Sequence, residues 1–344
     1  MNIDLLTRKN IRSLKPYSSA RDEFKDFEKE MIFLDANENP HENGVNRYPD
    51  PKQTSVKKEL AKLKGVKESQ ILLGNGSDEI LDIIFRAFCE PKEDNIITLP
   101  PTYGMYGVLA DINNIENKEV FLTKEFQPSV KNILEQANNN SKVLFLCTPN
   151  NPTGNSIDVK SIEVLMEMFK GVVVIDEAYI DFSEQESWIS RLNDYPNLIV
   201  TQTFSKAYAM AGVRLGICYA SEEIIEIFNR IKPPYNVNVL TQRCALKRFD
   251  KLEMVTDEVK KILKERAKLI IGLEEIKFIE KIYPTDANFV LVKVDDATKR
   301  YNQLLEKGIV IRNRTTQPLC ENTLRFTVGT KKETKLLLKA LSEL

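Results

Sequence analysis

The sequence predicts an α/β protein in which a large domain with a mostly parallel central sheet flanked by helices is joined to a smaller α+β domain. Three observations carry this expectation. From about residue 65 to 220, short β-branched runs alternate with longer amphipathic ones. Several of the short runs are apolar at consecutive positions, as strands covered on both faces should be. After Asn238 the texture changes to a long charged helical stretch, then to strands and helices of a different spacing. At 344 residues the chain also exceeds the ~250–300 over which a single core keeps growing. Two unequal domains follow: a large one over 31–240, and a small one assembled from 1–30 and 241–344.

In chain order, the expected strands of the large domain are Ile71–Leu73, Ile96–Leu99, Val143–Cys147, Val172–Ile175, Leu198–Thr201 and Leu215–Tyr219. Between the first two, Ser77–Phe88 is expected to be helical. Ser77 stands near the N-cap, Asp78 and Glu79 occupy the first turn, and Ile80, Leu81, Ile84, Phe85 and Phe88 recur on one face. Glu222–Arg230 is a second helix, stopped by Pro233–Pro234. The charged helical stretch runs to about Glu275. Strands Asn288–Val294, Ile309–Arg312 and Leu324–Val328 follow, with helices at about Ala297–Lys307 and Lys332–Ser342. The first thirty residues have weak periodicity and are expected to pack on the small domain.

Composition narrows the chemistry. Forty-nine basic against fifty acidic residues leave a formal charge of −1, so no net field favours nucleic acid, and no basic stretch is interleaved with stacking aromatics. Met1–Lys15 mixes charges with scattered Leu and Ile, unlike a signal peptide, and no apolar run approaches the ~20 residues that span a bilayer. A cytoplasmic protein with no membrane or nucleic-acid partner is expected. Cys89, Cys147, Cys218, Cys244 and Cys320 are odd in number and widely spread, which argues against a disulfide scaffold or a metal site. His41 is the only histidine, lies in a polar loop, and reads first as a solvated side chain. Nucleophile systems that need a positioned imidazole are therefore disfavoured. Proton transfer falls to Lys, Asp, Glu, Tyr or a cofactor.

Three expected strands end in polar clusters, the edge at which open α/β sheets bind ligands. The clusters are NNPTG (Asn150–Gly154), Asp176-Glu-Ala-Tyr179 and Thr203-Phe-Ser-Lys206. Each alone is ordinary turn chemistry. Together they supply a lysine amine, a carboxylate and several hydrogen-bond donors, the set that an aldehyde-bearing pyridine cofactor requires.

The run Thr203–Gly216, TFSKAYAMAGVRLG, resembles the cofactor-lysine segment of the fold type I, class II pyridoxal-phosphate-dependent aminotransferases, S-K-x(5)-G-x-R-x-G. Further matches are ANENP (Ala36–Pro40), RYPD (Arg47–Asp50), GNGSDE (Gly74–Glu79), PPTYGMY (Pro100–Tyr106) and LRFTVGT (Leu324–Thr330). They span nearly the whole chain. Within that family ANENP, RYPD, PPTYGMY and the terminal IRNR and LRFTVGT runs most resemble the histidinol-phosphate aminotransferases.

The resemblance implies pyridoxal 5'-phosphate as cofactor and Lys206 as the Schiff-base lysine and proton shuttle. An ordinary lysine titrates near 10.4, so this one must be activated. Asp176 would pair with the pyridine nitrogen, Asn151 and Tyr179 would bond the phenolic oxygen, and Tyr103 would lie over the ring. Ser77, Asp78, Thr203, Ser205 and Arg214 would hold the phosphate at a helix N-terminus; a lone arginine such as Arg214 is as often a surface charge. Tyr48 would reach the phosphate of a neighbouring subunit, which implies a homodimer with shared active sites. Arg325 and Arg312 would anchor substrate anions, with Asn37 and Tyr17 as further substrate contacts. Arg314 is near enough to compete with either arginine.

The implied reaction is transamination between histidinol phosphate and 2-oxoglutarate, giving imidazole acetol phosphate and glutamate, in histidine biosynthesis. Relatives of the same fold leave an aromatic aminotransferase or a phosphothreonine decarboxylase as alternatives. A non-catalytic cofactor-sensing regulator is a different class, disfavoured because only about thirty non-basic residues precede the first motif. A dinucleotide dehydrogenase fails because GNGSDE lacks the G-x-G-x-x-G spacing.

Overall fold

The computed structural model describes residues 2–15 and 32–344. After α1 (Ile3–Leu6), α2 (Lys9–Arg12) and α3 (Thr54–Lys64), the chain enters a βα alternation: β1 (Ile71–Gly74), α4 (Ser77–Phe88), β2 (Asn95–Thr98), α5 (Met105–Asn113), β3 (Glu116–Glu119), α6 (Val130–Gln136), β4 (Ser141–Cys147), α7 (Val159–Met168), β5 (Val172–Asp176), β6 (Leu198–Thr203), β7 (Gly216–Ala220) and α8 (Glu222–Ile231). The seven strands form one sheet in the order β1-β7-β6-β5-β4-β2-β3. Only β7 runs antiparallel to its neighbours; the other pairs are parallel.

The expected consecutive burial has a simple origin, because alternate residues of one strand enter different cores. Leu144 and Leu146 of β4, with Val173 and Ile175 of β5, belong to one cluster. Val143 and Phe145, with Val172 and Val174, belong to the cluster on the opposite face, beneath α4, α5 and α8. The edge strand β3, sequence ENKE, was not among the expected strands, since a charged, half-exposed edge carries no apolar run.

The remaining chain forms α9 (Val239–Phe249), α10 (Leu252–Glu274), β8 (Ile279–Ile282), β9 (Phe289–Val294), α11 (Ala297–Glu306), β10 (Arg312–Asn313), β11 (Thr323–Thr327) and α12 (Lys331–Ser342). Its antiparallel sheet has the order β10-β11-β9-β8 and covers a third core built on Val290, Val292, Leu324, Phe326 and Leu337.

Three expectations need correction. The long charged stretch is two helices rather than one, and α9 packs with the large core through Ala245 and Phe249. The strand expected at Ile309–Arg312 pairs only over Arg312–Asn313; Gly308 turns with φ +74° and Val310 is 78% exposed. Residues 2–15 lie on the large domain, not the small one, because Ile3 and Ile11 enter the core beneath α4 and α8 and Arg8 bonds Glu90 at 3.0 Å and the Arg86 carbonyl at 3.1 Å. Among the described residues no helix is long and apolar enough to cross a membrane, and no group of three or more His, Cys, Asp and Glu could hold a metal ion.

Candidate active site

The sheet order puts β4, β5 and β6 side by side, so the clusters at their carboxyl ends become neighbours although about thirty residues separate each from the next. β1 runs parallel to β6 because both are antiparallel to β7, which brings Gly74–Ser77 to the same edge. Gly216, at the start of β7, pairs with Gly74 on one side and Thr203 on the other. A cavity of about 150 Å³ opens there, lined by Ser77, Asp78, Tyr103, Asn151, Asp176, Tyr179, Thr203, Ser205, Lys206 and Arg214, with Cys147, Ala178 and Ala211. Ten of the fifteen residues singled out in the sequence thus face one space.

At one end the cavity is shaped for an anion. The N-cap of α4 is Gly76 at φ +84°, and Ser77 begins the helix, so its free N–H groups and dipole point into the space. The Arg214 guanidinium lies against this turn: a Cβ on Gly76 would sit 2.5 Å from Arg214 Nη2. Arg214 Nη1 donates to Ser205 Oγ at 3.5 Å, and Thr203 Oγ1 donates to the same hydroxyl at 3.0 Å. Asp78 stands 3.7 Å from Arg214 and accepts from the Tyr103 hydroxyl at 3.0 Å. Its carboxylate therefore restrains the arginine and the tyrosine, which explains an acidic side chain beside an anion cradle.

At the other end lies Asp176, 3% exposed. Its Oδ2 accepts from the Tyr106 hydroxyl at 2.7 Å and Oδ1 from the Ala178 N–H at 3.2 Å. Burial pushes its pKa above the ordinary carboxylate value, while the Tyr106 and Ala178 bonds act in the opposite direction. No basic side chain among the described residues is within ion-pair distance, so a cationic partner arriving from the cavity would relieve the desolvation. Tyr106 was missing from the sequence-derived site. It is fully buried and stacks on Phe145 at 4.6 Å; as an aromatic on the buried face of a helix it looked like core, and only the sheet neighbour reveals its hydroxyl's target.

Lys206 follows β6, with Nζ 5.6 Å from the centre of the Tyr179 ring. Desolvation first, then the charge of Arg325, lowers its pKa below the ordinary lysine value, the direction a proton-transferring amine needs. Tyr179 is 8% exposed and meets Phe289 edge to face at 5.2 Å; burial raises its pKa, so the phenol stays a donor. Asn151 Oδ1 accepts from Arg325 Nη1, and the Arg325 guanidinium lies 4.9 Å above the Phe289 ring. This contact ties the small sheet to the large-domain cavity. Arg312 is the cross-strand partner of Arg325.

Two expected residues lie elsewhere within the single chain. Tyr48 and Asn37 line a separate surface depression with Val45, Asn238 and Leu240, and Tyr48 stacks on Tyr235 at 4.4 Å. Tyr17 lies outside the described residues.

The sequence pattern of the family described as "Aminotransferase class I and II" matches residues 22–341. The chain belongs to the class I and II aminotransferases. It is 65% identical over 341 residues to a histidinol-phosphate aminotransferase of Flavobacterium johnsoniae, with 99% of this chain and 98% of that protein covered. Among solved structures, the histidinol-phosphate aminotransferase of Clostridium acetobutylicum superposes with a TM-score of 0.81 at 25% identity, covering 87% of this chain and 90% of that one. The fold is shared by a Sinorhizobium meliloti histidinol-phosphate aminotransferase solved in complex with pyridoxal-5'-phosphate, at a TM-score of 0.79 and 22% identity over 86% of this chain and 82% of that one. Pyridoxal phosphate is the cofactor of this aminotransferase family, and the cavity fits it in its donor set. There is a buried carboxylate without a cation at one end, an anion cradle at the other, and an amine of lowered pKa between. The glycines of the cradle leave no room for side chains: a Cβ on Gly216 would lie 2.3 Å from the Ser77 nitrogen.

Proposed function

We propose that this aminotransferase transfers the amino group of histidinol phosphate to 2-oxoglutarate, giving imidazole acetol phosphate and glutamate, as a step of histidine biosynthesis in the cytoplasm. The observation that carries this is Arg325, which bonds Asn151 of the cavity that holds Lys206 and Asp176 and has a second arginine, Arg312, as its cross-strand partner. Substrates with an anionic group remote from the reacting amine suit such a pair. The full-length likeness to the Flavobacterium johnsoniae protein supports the same substrate.

When bound, pyridoxal phosphate supplies a sink for the electron pair left on the substrate Cα. Lys206 would hold the cofactor through its side-chain amine and would be the base that takes the proton from the substrate Cα. Asp176, kept in place by Tyr106 and the Ala178 N–H, would pair with the ring nitrogen. Asn151 and Tyr179 would bond the phenolic oxygen. The α4 N-terminus, with Ser77, Asp78, Thr203, Ser205 and Arg214, would receive the phosphate, and Tyr103 would wall the ring. Arg325 and Arg312 orient the substrate, with Asn37 and Tyr17 as additional contacts. Tyr48, 51% exposed and turned away from its own cavity, serves the cofactor phosphate in a second copy of the chain; the exposed Leu34, Val45 and Leu240 nearby suit a homodimer face.

Titrating the holoenzyme with histidinol phosphate should convert the visible absorbance of the bound cofactor, and Lys206→Ala should abolish both that response and turnover, a loss of about 10⁴-fold or more. Normal turnover by Lys206→Ala would remove the lysine from its role. A wild-type spectrum indifferent to histidinol phosphate would remove the substrate.

A further inference from the structure

Arg312 and Arg314 are two residues apart on extended chain, so both side chains leave one face of the small sheet. The ladder pairs Arg312 with Arg325 and is continued by the Arg314 N–H, which donates to the Thr323 carbonyl at 2.9 Å. Arg325 therefore shares that face. It is the face turned to the large domain, since Leu291, paired with Arg325, belongs to the main core, while Leu324 and Phe326 enter the small one.

Three guanidiniums thus gather on one surface, and no ion pair joins any of them to a carboxylate among the described residues. Like charges opposite one another on a strand pair are destabilising. Burial and then Arg314 hold Arg325 down to about 10, while burial and then Arg312 lower Arg314. Arg314 and Arg325 each keep a buried Nε–H with no acceptor. Such donors are costly to leave unmade, and an anion would satisfy both.

Charge decides which anion. A carboxylate brings one negative charge, which Arg325 alone can bind as a fork. A phosphate monoester brings about −1.5 to −2 at pH 7 and three terminal oxygens, enough for a second and third guanidinium. Resting on the phosphate-ester substrate of the preceding section, we propose that Arg314 is a specificity-determining residue that joins Arg325 and Arg312 in gripping the substrate phosphate. Arg325 serves both half-reactions; Arg314 is the member that separates a phosphate ester from the bare alcohol.

The test compares wild-type and Arg314→Gln holoenzyme on histidinol phosphate, histidinol and glutamate, with inorganic phosphate as a competing probe. In Arg314→Gln the preference for histidinol phosphate over histidinol should fall about 10- to 100-fold, the worth of one charge-assisted hydrogen bond, chiefly through KM. Inhibition by inorganic phosphate should weaken in parallel, and Arg314→Lys should recover only part of the preference because it restores the charge without the fork. Equal losses on all three substrates, or an unchanged preference, would overturn the assignment. If the wild type ignores histidinol phosphate altogether, the substrate reading fails by itself and inorganic phosphate judges Arg314: inhibition that depends on this residue supports the assignment, and inhibition indifferent to it overturns it.

Discussion

The hydroxyl of Tyr106 donates to Oδ2 of Asp176 at 2.7 Å, inside a site from which both side chains exclude water. One comes from the first helix turn after the PPTYG loop and the other from the end of β5, seventy residues on. Loss of this bond leaves the carboxylate harder to ionise, because desolvation already acts against the charged form and the tyrosine opposes it.

Tyr106→Phe keeps the ring that stacks on Phe145 and removes only the donor. A hydrogen bond to a charged acceptor is worth about 1.5–3 kcal/mol, so cofactor affinity should fall by roughly tenfold or more. The Asp176 pKa should rise further. Since the carboxylate must be ionised to pair with a cationic ring nitrogen, the acid limb of kcat/KM should move to higher pH. Equilibrium dialysis of the cofactor and a pH profile check both; an unchanged profile would make Tyr106 a packing residue only.

Glu177, next to Asp176, is 1% exposed and accepts from the Trp188 N–H at 2.7 Å, Gln202 Nε2 at 2.9 Å and the Ser187 hydroxyl. Burial still raises its pKa from 4.5 to about 7. A carboxyl whose folded pKa lies above its unfolded one binds more protons when folded, so stability falls as pH rises from about 4.5 to 7 and the penalty is complete above that. The span corresponds to about 3 kcal/mol. Glu177→Gln should flatten the pH dependence of apoenzyme unfolding in this window, as read by denaturant titration at a series of pH values; an equally steep slope in the variant would assign the dependence to other groups.

Two glycines of the cofactor-lysine run should respond in opposite ways. A Cβ on Gly216 would lie 2.3 Å from the Ser77 nitrogen and 2.4 Å from the Gly76 carbonyl carbon, both backbone, whereas a Cβ on Gly212 would meet nothing within 4 Å. Gly216→Ala should displace the α4 N-terminus, with about 1–3 kcal/mol of overpacking and a sharp loss of cofactor binding. Gly212→Ala should bind cofactor normally. Thermal melts with and without cofactor separate the two.

Much of this architecture was legible in the chain because the large sheet is buried on both faces and its strands are written as continuous apolar runs. Polar residues that interrupt such runs at strand ends stand out, and Lys206, Asp176 and Asn151 lie in clusters of that kind, whereas Arg214 is picked out only by the family motif around Lys206. Tyr106 was not, because a side chain that is apolar over most of its surface gives no local sign that its one polar atom meets a carboxylate. The short pairing at β10 was also overestimated: Ile309 and Val310 have the composition of a strand, but the turn at Gly308 leaves them outside the ladder. Residues 2–15 bury only two apolar side chains, Ile3 and Ile11, too few to produce a hydrophobic period.

The 23-residue helix α10 is about 35 Å long and is rooted in two cores, through Val255, Val259 and Leu263 at its first half and through Leu269 and Leu273 at its second. Melting either core would strip one half of the rod of its apolar contacts and leave the other half as an overhang that a helix of this composition cannot sustain in water. The two domains are in this sense one cooperative unit: heat should unfold them in a single calorimetric transition, and residues 250–344 expressed alone should lack the fixed tertiary structure they have in the intact chain.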